Sequence, residues 1–329
     1  MKKFLNSPET LLDESLEGFA AAHADLVVLG PERKFVRRKT LAPGKVALVS
    51  GGGSGHEPLH AGFVGLGMLD AACPGQIFTS PTPDQMAAAV EAVDQGAGIL
   101  FIVKNYEGDV MNFEMAAEMT GGQCASVITD DDVAVEKSTW STGRRGVAGT
   151  LVVEKIVGAA AEAGAPLAEL QALGQAVNGA TRSMGVALTS CTLPATGRPN
   201  FALGEGEIEM GVGIHGEPGR RRIAMAPARE IAEEMMRAVL ADLDAGPGAE
   251  TLLFVNGFGG TPSIELYLFY REARRIAEGA GLKVARSLVG SYVTSLDMAG
   301  ASITVTRLDD ATTRFWDAPV HTAAIRWGR

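Results

Sequence analysis

The first half of the chain alternates short, uninterrupted apolar runs with longer stretches in which apolar residues recur every three or four positions. The short runs, 45–50 (KVALVS), 99–103 (ILFIV) and 125–129 (ASVIT), have the length and β-branched content of buried strands. The longer stretches predict helices. Leu11, Leu12, Leu16, Phe19 and Ala20 share a helical spacing, and Met86, Val90 and Val93 mark one face of 83–95. Further helices are predicted around 111–119, over the Ala-rich segment 150–163, and on through Val177. Strands that alternate with helices and empty into glycine-rich turns predict a parallel sheet with ligand loops at its carboxyl ends.

Beyond Arg182 the order changes. MGVALTS (184–190) and EIEMGVGI (207–214) read as strands, and a helix over 226–245 is opened by Pro227 and stopped by Gly246-Pro247. TLLFVNG, a helix over 263–281, LKVARSLVG and SITVTRL follow, giving β-β-α-β-α-β-β. The chain's 329 residues exceed the roughly 250–300 at which one core stops growing. The fold class expected is therefore α/β, with two α/β domains, each a sheet flanked by helices. The predicted division is an N-terminal domain over 1–182 and a C-terminal domain over 183–329.

A formal charge of −10 argues against nucleic acid or an anionic membrane as the main partner, because both require clustered cations. The basic clusters 33–39 and 220–222 are short and are expected to be solvated surface. Cys73, Cys124 and Cys191 are widely spaced, which fits a reduced, cytoplasmic compartment and offers no disulfide or zinc framework. The N-terminus lacks a signal-type apolar region, and no run reaches the ~18 apolar residues of a membrane span.

Two histidines stand in glycine-rich loops: His215 in GVGIHGEPG (211–219) and His56 in GGGSGHEP (51–58). Glycine leaves such an imidazole open to close approach by a small molecule. The upstream loop is not a nucleotide P-loop, since the Lys-Ser/Thr pair is missing, and it lacks G-x-G-x-x-G. His60 lies four residues after His56, but Pro58 interrupts any helix between them, so no metal pair is expected. His23 and His321 are read as structural, and Asp130–Asp132 as capping or structural acids. KNYEGD (104–109) places Lys104 and Asp109 after a buried strand, either as ordinary surface or as a carboxylate base beside a cation. A neutral imidazole such as His215 can serve as base, metal ligand or nucleophile, and spacing does not choose among these.

Several long motifs, in order, carry a resemblance over nearly the whole chain: SGGGSGHEPLHAGFVG, FTSPTPDQ, VKNYEGDVMNF, DDDVA, TGRRGVAGT, GVGIHGEPG, VNGFGGTP and SLDMAGASIT. The chain resembles the substrate-binding subunit of dihydroxyacetone kinase in its separate-subunit bacterial form. The resemblance implies that His215 captures the ketone covalently as a hemiaminal. It implies that Asp109 accepts the proton of the attacking hydroxyl and that His56 assists proton transfer. It makes Gly53, Ser54, Gly55, His56, Lys104, Asp109 and His215 the substrate-contact set, with the carboxyl ends of first-domain strands facing a loop of the second domain. A difference such as Glu154 in LVVEKI, where relatives often carry histidine, is expected to lie off the site. No nucleotide-binding helical domain follows residue 329, so the resemblance implies a separate nucleotide-binding subunit carrying Mg-ATP or Mg-ADP, no cofactor or metal on this chain, and homodimerisation. The phosphoryl donor is either ATP or a phosphotransferase-system protein. Two other readings remain: a kinase subunit for a related ketose such as erythrulose, and a ligand-sensing regulator.

Overall fold

The computed structural model describes residues 2–135 and 143–328; Thr142, which opens the TGRRGVAGT motif, lies outside them. The chain forms two compact units. The first comprises Lys2–Thr129, Thr150–Val177 and Thr312–Arg329, and the second Asp130–Gly149 and Asn178–Ala311. The chain thus passes between units at several points, where the sequence reading expects one passage near residue 182. Strand pairing is the reason. Asp132 bridges to Ser183, joining the 130–149 segment to the second unit's sheet. His321 and Thr322 pair with Leu66 and Gly65, which returns the C-terminal segment to the first unit.

In the first unit the strands are β1 (Val27–Leu29), β2 (Val36–Arg38), β3 (Ala47–Ser54), β4 (Gly65–Leu66), β5 (Ala71–Ile77), β6 (Ile99–Lys104) and β7 (Cys124–Thr129). Its helices are α1 (Leu11–Ala22), α2 (Pro83–Val93), α3 (Glu107–Thr120), α4 (Gly149–Glu162) and α5 (Leu167–Gly179). The main sheet runs β1-β2-β5-β3-β6-β7, and its β5-β3-β6-β7 core is parallel. Alternate residues Val49, Cys73, Phe101 and Val103 face Met86, Ala89 and Val93 of α2 and Phe113 of α3. α4 is apolar nearly all round, with Leu151, Val152, Val153, Ile156 and Val157 fully buried, so it also carries Glu154 and Lys155 into the interior.

Three local expectations change. First, the glycines 51–53 are not a loop after the strand: they continue β3 and pair with Cys73, Pro74 and Gly75. A Cβ on Gly51 would stand 2.6 Å from the Cys73 carbonyl oxygen, so only glycine permits this approach. Second, α3 begins at Glu107, which places Asp109 in a helical first turn, where the macrodipole favours an acid. Third, Arg38 is not solvated surface. The alternation of β2 turns it inward with Val36, where it pairs with Asp70 at 3.1 Å. Asp70 also pairs with Lys45 and accepts from the Leu48 amide at 2.8 Å.

The second unit holds β8 (Thr181–Ala187), β9 (Glu207–Met210), β10 (Arg221–Ala224), α6 (Ala228–Asp242), β11 (Glu250–Gly257), α7 (Ser263–Gly279), β12 (Lys283–Gly290) and β13 (Gly300–Arg307). Its sheet runs β10-β9-β8-β13-β11-β12 and is antiparallel except for β11 with β12. Met184, Leu253, Val255, Ile303 and Val305 of the sheet pack on Met235, Met236 and Val239 of α6 and on Phe269 and Ala273 of α7. β10 is absent from the sequence reading because its arginines conceal an edge strand. Arg221 and Arg222 are exposed there, a position in which charge protects an open edge. The remaining elements are α8 (Asp310–Asp317), β14 (Val320–Thr322) and β15 (Arg326–Trp327), and β14 pairs with both β15 and β4. His321 is thus a strand residue, as the structural reading has it.

Candidate functional site

The carboxyl ends of β3 and β6 lie side by side, and Lys104, the last residue of β6, reaches back past Gly52. A Cβ on Gly52 would sit 2.2 Å from the Lys104 Nζ, so this glycine makes the passage for the lysine. Lys104 is fully buried and donates to three acceptors: Asp109 Oδ2 at 3.3 Å, His60 Nε2 at 3.2 Å and the Gly51 carbonyl at 3.4 Å. An ammonium has three hydrogens and no lone pair, so these contacts use its whole capacity. Asp109 is buried as well. Its second oxygen, Oδ1, is shielded from solvent and has no hydrogen-bond partner among the described residues. A buried carboxylate oxygen without a donor is costly, and a ligand hydroxyl would supply that donor.

Behind Lys104 lies a pair that sequence reasoning leaves out. His60 Nδ1 is 2.6 Å from Glu154 Oε1 and 3.0 Å from the Ser50 hydroxyl, which itself donates to the Ile102 carbonyl at 2.6 Å. Burial, with the Lys104 and His56 charges adding to it, holds the His60 imidazole well below its ordinary value, and burial raises the Glu154 carboxyl well above its own. Glu154 thus stands outside the expected contact set and is linked to Lys104 through His60. One residue in the middle of an apolar helix is the only sequence signal for it, and α4 had to be packed on this sheet before its partner was visible.

His56 is fully buried and stacks on Phe78, with ring centroids 5.2 Å apart. Phe78 adopts φ +56°, a left-handed conformation uncommon for a bulky residue. Gly53 fits against that turn: a Cβ there would lie 2.5 Å from the Thr79 amide and 2.7 Å from the Phe78 Cα. Gly55, at φ +107°, directs its amide to the Glu57 carboxylate at 2.9 Å and 3.1 Å. The Ser54 hydroxyl donates to the Gly75 carbonyl at 2.7 Å, so it ties β3 to β5. The structure brings Lys104 and Asp109 together, with His60 between Lys104 and Glu154.

In the second unit, His215 follows β9 on a turn held by its own sequence. The Glu217 carboxylate accepts from the His215 amide at 2.9 Å and meets His215 Nδ1 at 2.8 Å. With Nδ1–H facing a carboxylate, the ring lone pair lies on Nε2, the atom that can attack an electrophile. The Asn200 side chain donates to the His215 carbonyl at 2.5 Å. Burial would raise the Glu217 carboxyl, but His215 and then Arg145 outweigh it and bring it down to about 2. Arg145 is buried, donates to Asp132 at 2.8 Å and to the Gly211 carbonyl at 2.8 Å, and approaches Glu217 across Gly213. A Cβ on Gly213 would lie 2.1 Å from Glu217 Oε2 and 2.7 Å from Arg145 Nη1. Burial pushes Asp132 up to about 6 against the pull of Arg145, and Asp131 accepts from the Val147 and Gly149 amides, so both acids act structurally. The signal for Glu217 was its place two residues after the histidine. Nothing local marks Arg145. Among the described residues no group of three or more His, Cys, Asp or Glu is arranged to hold a metal, and no helix is long and apolar enough to cross a membrane.

Comparison with known proteins matches residues 17–324 to the Dak1 domain. The dihydroxyacetone-binding subunit DhaK of the PTS-dependent dihydroxyacetone kinase 1 of Listeria innocua is 50% identical over 313 residues, covering 94% of this chain and 95% of that protein. The dihydroxyacetone-binding subunit DhaK of the PEP-dependent kinase of Escherichia coli is 45% identical, with both chains covered in full. Among solved structures, the dihydroxyacetone kinase operon co-activator Dha-DhaQ superimposes with a TM-score of 0.90 at 33% identity, covering 94% of this chain and 97% of that one. The chain belongs to the Dak1 domain family.

Proposed function

We propose that this Dak1-family chain is the ketone-binding subunit of a dihydroxyacetone kinase. The observation that carries the reading is the buried Lys104–Asp109 pair with Oδ1 left as an acceptor, a device suited to taking a proton from a hydroxyl. Membership of the family and the names of the two similar relatives supply the substrate. In this reading His215 Nε2 adds to the carbonyl carbon of dihydroxyacetone. The carbon–oxygen π bond becomes an alkoxide that takes up a proton, with His56 assisting, and Nδ1 releases its own proton towards Glu217. A terminal hydroxyl of the resulting hemiaminal then attacks the phosphoryl group while Asp109 receives its proton. The Gly53 and Gly55 backbone and Ser54 complete the contact set, with Lys104 beside Asp109 and engaged by it. A separate nucleotide-binding subunit supplies the phosphoryl group from Mg-ATP or from Mg-ADP recharged by a phosphotransferase-system protein. The chain acts as a homodimer in the cytoplasm.

Incubation with dihydroxyacetone, followed by intact-mass measurement under non-denaturing conditions, tests the capture. A mass increase of one ketone that disappears in His215→Ala is expected, and no adduct at saturating ketone would overturn the assignment. The likeness to an operon co-activator favours one second reading, a ketone-sensing regulator. Reconstitution with a nucleotide-binding subunit separates them: turnover of dihydroxyacetone identifies the kinase subunit, and capture without turnover identifies the sensor. The same assay with erythrulose decides the ketose.

A further inference from the structure

The pair behind Lys104 is expensive to bury, and the proposed chemistry leaves it without a task. Glu154 and His60 are almost wholly inaccessible, and Glu154 Oε2 has no hydrogen-bond partner among the described residues. A well-packed apolar pair would usually be at least as stable in such a place. The hydrogen bonding defines what the pair does. Lys104 can only donate, so the His60 Nε2 facing it at 3.2 Å must accept. The imidazole proton is then on Nδ1, and the group 2.6 Å beyond it, Glu154 Oε1, is the acceptor that holds the ring in this tautomer. The Ser50 hydroxyl gives its one hydrogen to Ile102 and is a second acceptor for Nδ1–H. The chain of donors therefore runs in two directions from Lys104, through His60 to Glu154 and directly to Asp109.

We propose that His60 and Glu154 are positioning residues for the reaction: they clamp the Lys104 ammonium against Asp109 Oδ2, so that Oδ1 alone is presented to the substrate hydroxyl. Glu154 fixes the imidazole tautomer, and the imidazole occupies one ammonium hydrogen. Without it, that hydrogen would seek Oδ1 or the ligand, and the proton acceptor would be blocked or misaligned. This inference rests on the reading of Asp109 as proton acceptor. The residues act through Lys104 and do not touch the substrate.

The test uses the full chain with its nucleotide-binding subunit and three variants, Glu154→Gln, Glu154→Leu and His60→Phe. Outer partners that orient metal ligands commonly contribute about 10–100-fold when removed, and the same scale is expected of a pair that orients Lys104. Glu154→Leu and His60→Phe should lower kcat by about that factor, while the ketone adduct seen by non-denaturing intact mass at saturating ketone stays at the parent level. Glu154→Gln keeps an acceptor for Nδ1–H and should restore kcat to within about threefold. Retention of kcat in both Leu and Phe variants would overturn the proposal, as would a Gln variant no better than Leu. Nitrogen-15 NMR of the parent protein provides a readout independent of variant folding. His60 should show a protonated Nδ1 and an unprotonated Nε2, and the opposite tautomer would refute the clamp. If the parent itself neither captures nor turns over a ketone, the functional reading fails, while the tautomer still reports on the clamp.

Discussion

Replacing Glu217 by glutamine isolates the carboxylate that holds His215. The glutamine carbonyl can still accept one hydrogen bond, but the charge that faces the imidazole and Arg145 is lost. A carboxyl held at about 2 in the folded protein and at 4.5 otherwise corresponds to about 3 kcal/mol above pH 5. The side chain is 31% exposed, and solvent screening brings the expectation to about 1–2 kcal/mol. The sign follows from the lowered folded value. The contribution is complete above the unfolded value of 4.5, declines as pH falls below it, and vanishes as pH passes through about 2. Urea unfolding of parent and Glu217→Gln between pH 3 and 7, followed by a probe in the second unit, should show the largest difference at pH 7. By pH 3 the difference should have shrunk by about half. A stability gap that is unchanged from pH 7 to pH 3 would refute the assignment, because it would assign the loss to packing and not to charge. The same variant should also capture less ketone: the glutamine carbonyl keeps the tautomer, but the negative charge that draws the Nδ1 proton as the carbonyl is attacked is lost.

Other substitutions test the first unit. Asp109→Asn should retain the adduct and lose phosphoryl transfer, and intact mass with coupled turnover distinguishes that from a loss of capture. Gly52→Ala puts a methyl 2.2 Å from the Lys104 Nζ, so the ammonium must leave its three acceptors; a fall of about 1–3 kcal/mol in stability and near-complete loss of turnover are expected. Asp70→Leu leaves Lys45 and Arg38 buried without their shared carboxylate, and chemical denaturation should show a loss of about 3–5 kcal/mol with no specific effect on capture.

Much of the fold was legible along the chain because burial imposes a period. KVALVS, ILFIV and ASVIT read as strands since central parallel strands are apolar on both faces, and α2 and α6 announced themselves by one-sided apolar spacing and a proline start. What concealed an element was a conflict between composition and position. The glycines of β3 look like a loop, yet glycine is what lets β5 and Lys104 come so near; the arginines of β10 look like solvated surface, and Arg38 looked the same although strand alternation turned it inward.

The functional residues divide in the same way. His215 and His56 were visible in sequence because each stands beside glycine, and Lys104 and Asp109 because they close a buried strand and open the helix after it. Glu217 was within reach, two residues from its histidine. The clamp was not. His60 and Glu154 are 94 residues apart, on a loop and in the middle of an apolar helix, and only packing makes them partners. The same holds for Arg145, 66 residues from the carbonyl it binds. Sequence marked which side chains are candidates to meet a ligand, because glycine neighbours and strand ends can be read locally. Tertiary structure decided which acceptors fix their protons and charges, because a hydrogen bond depends on a few ångströms that no spacing along the chain encodes.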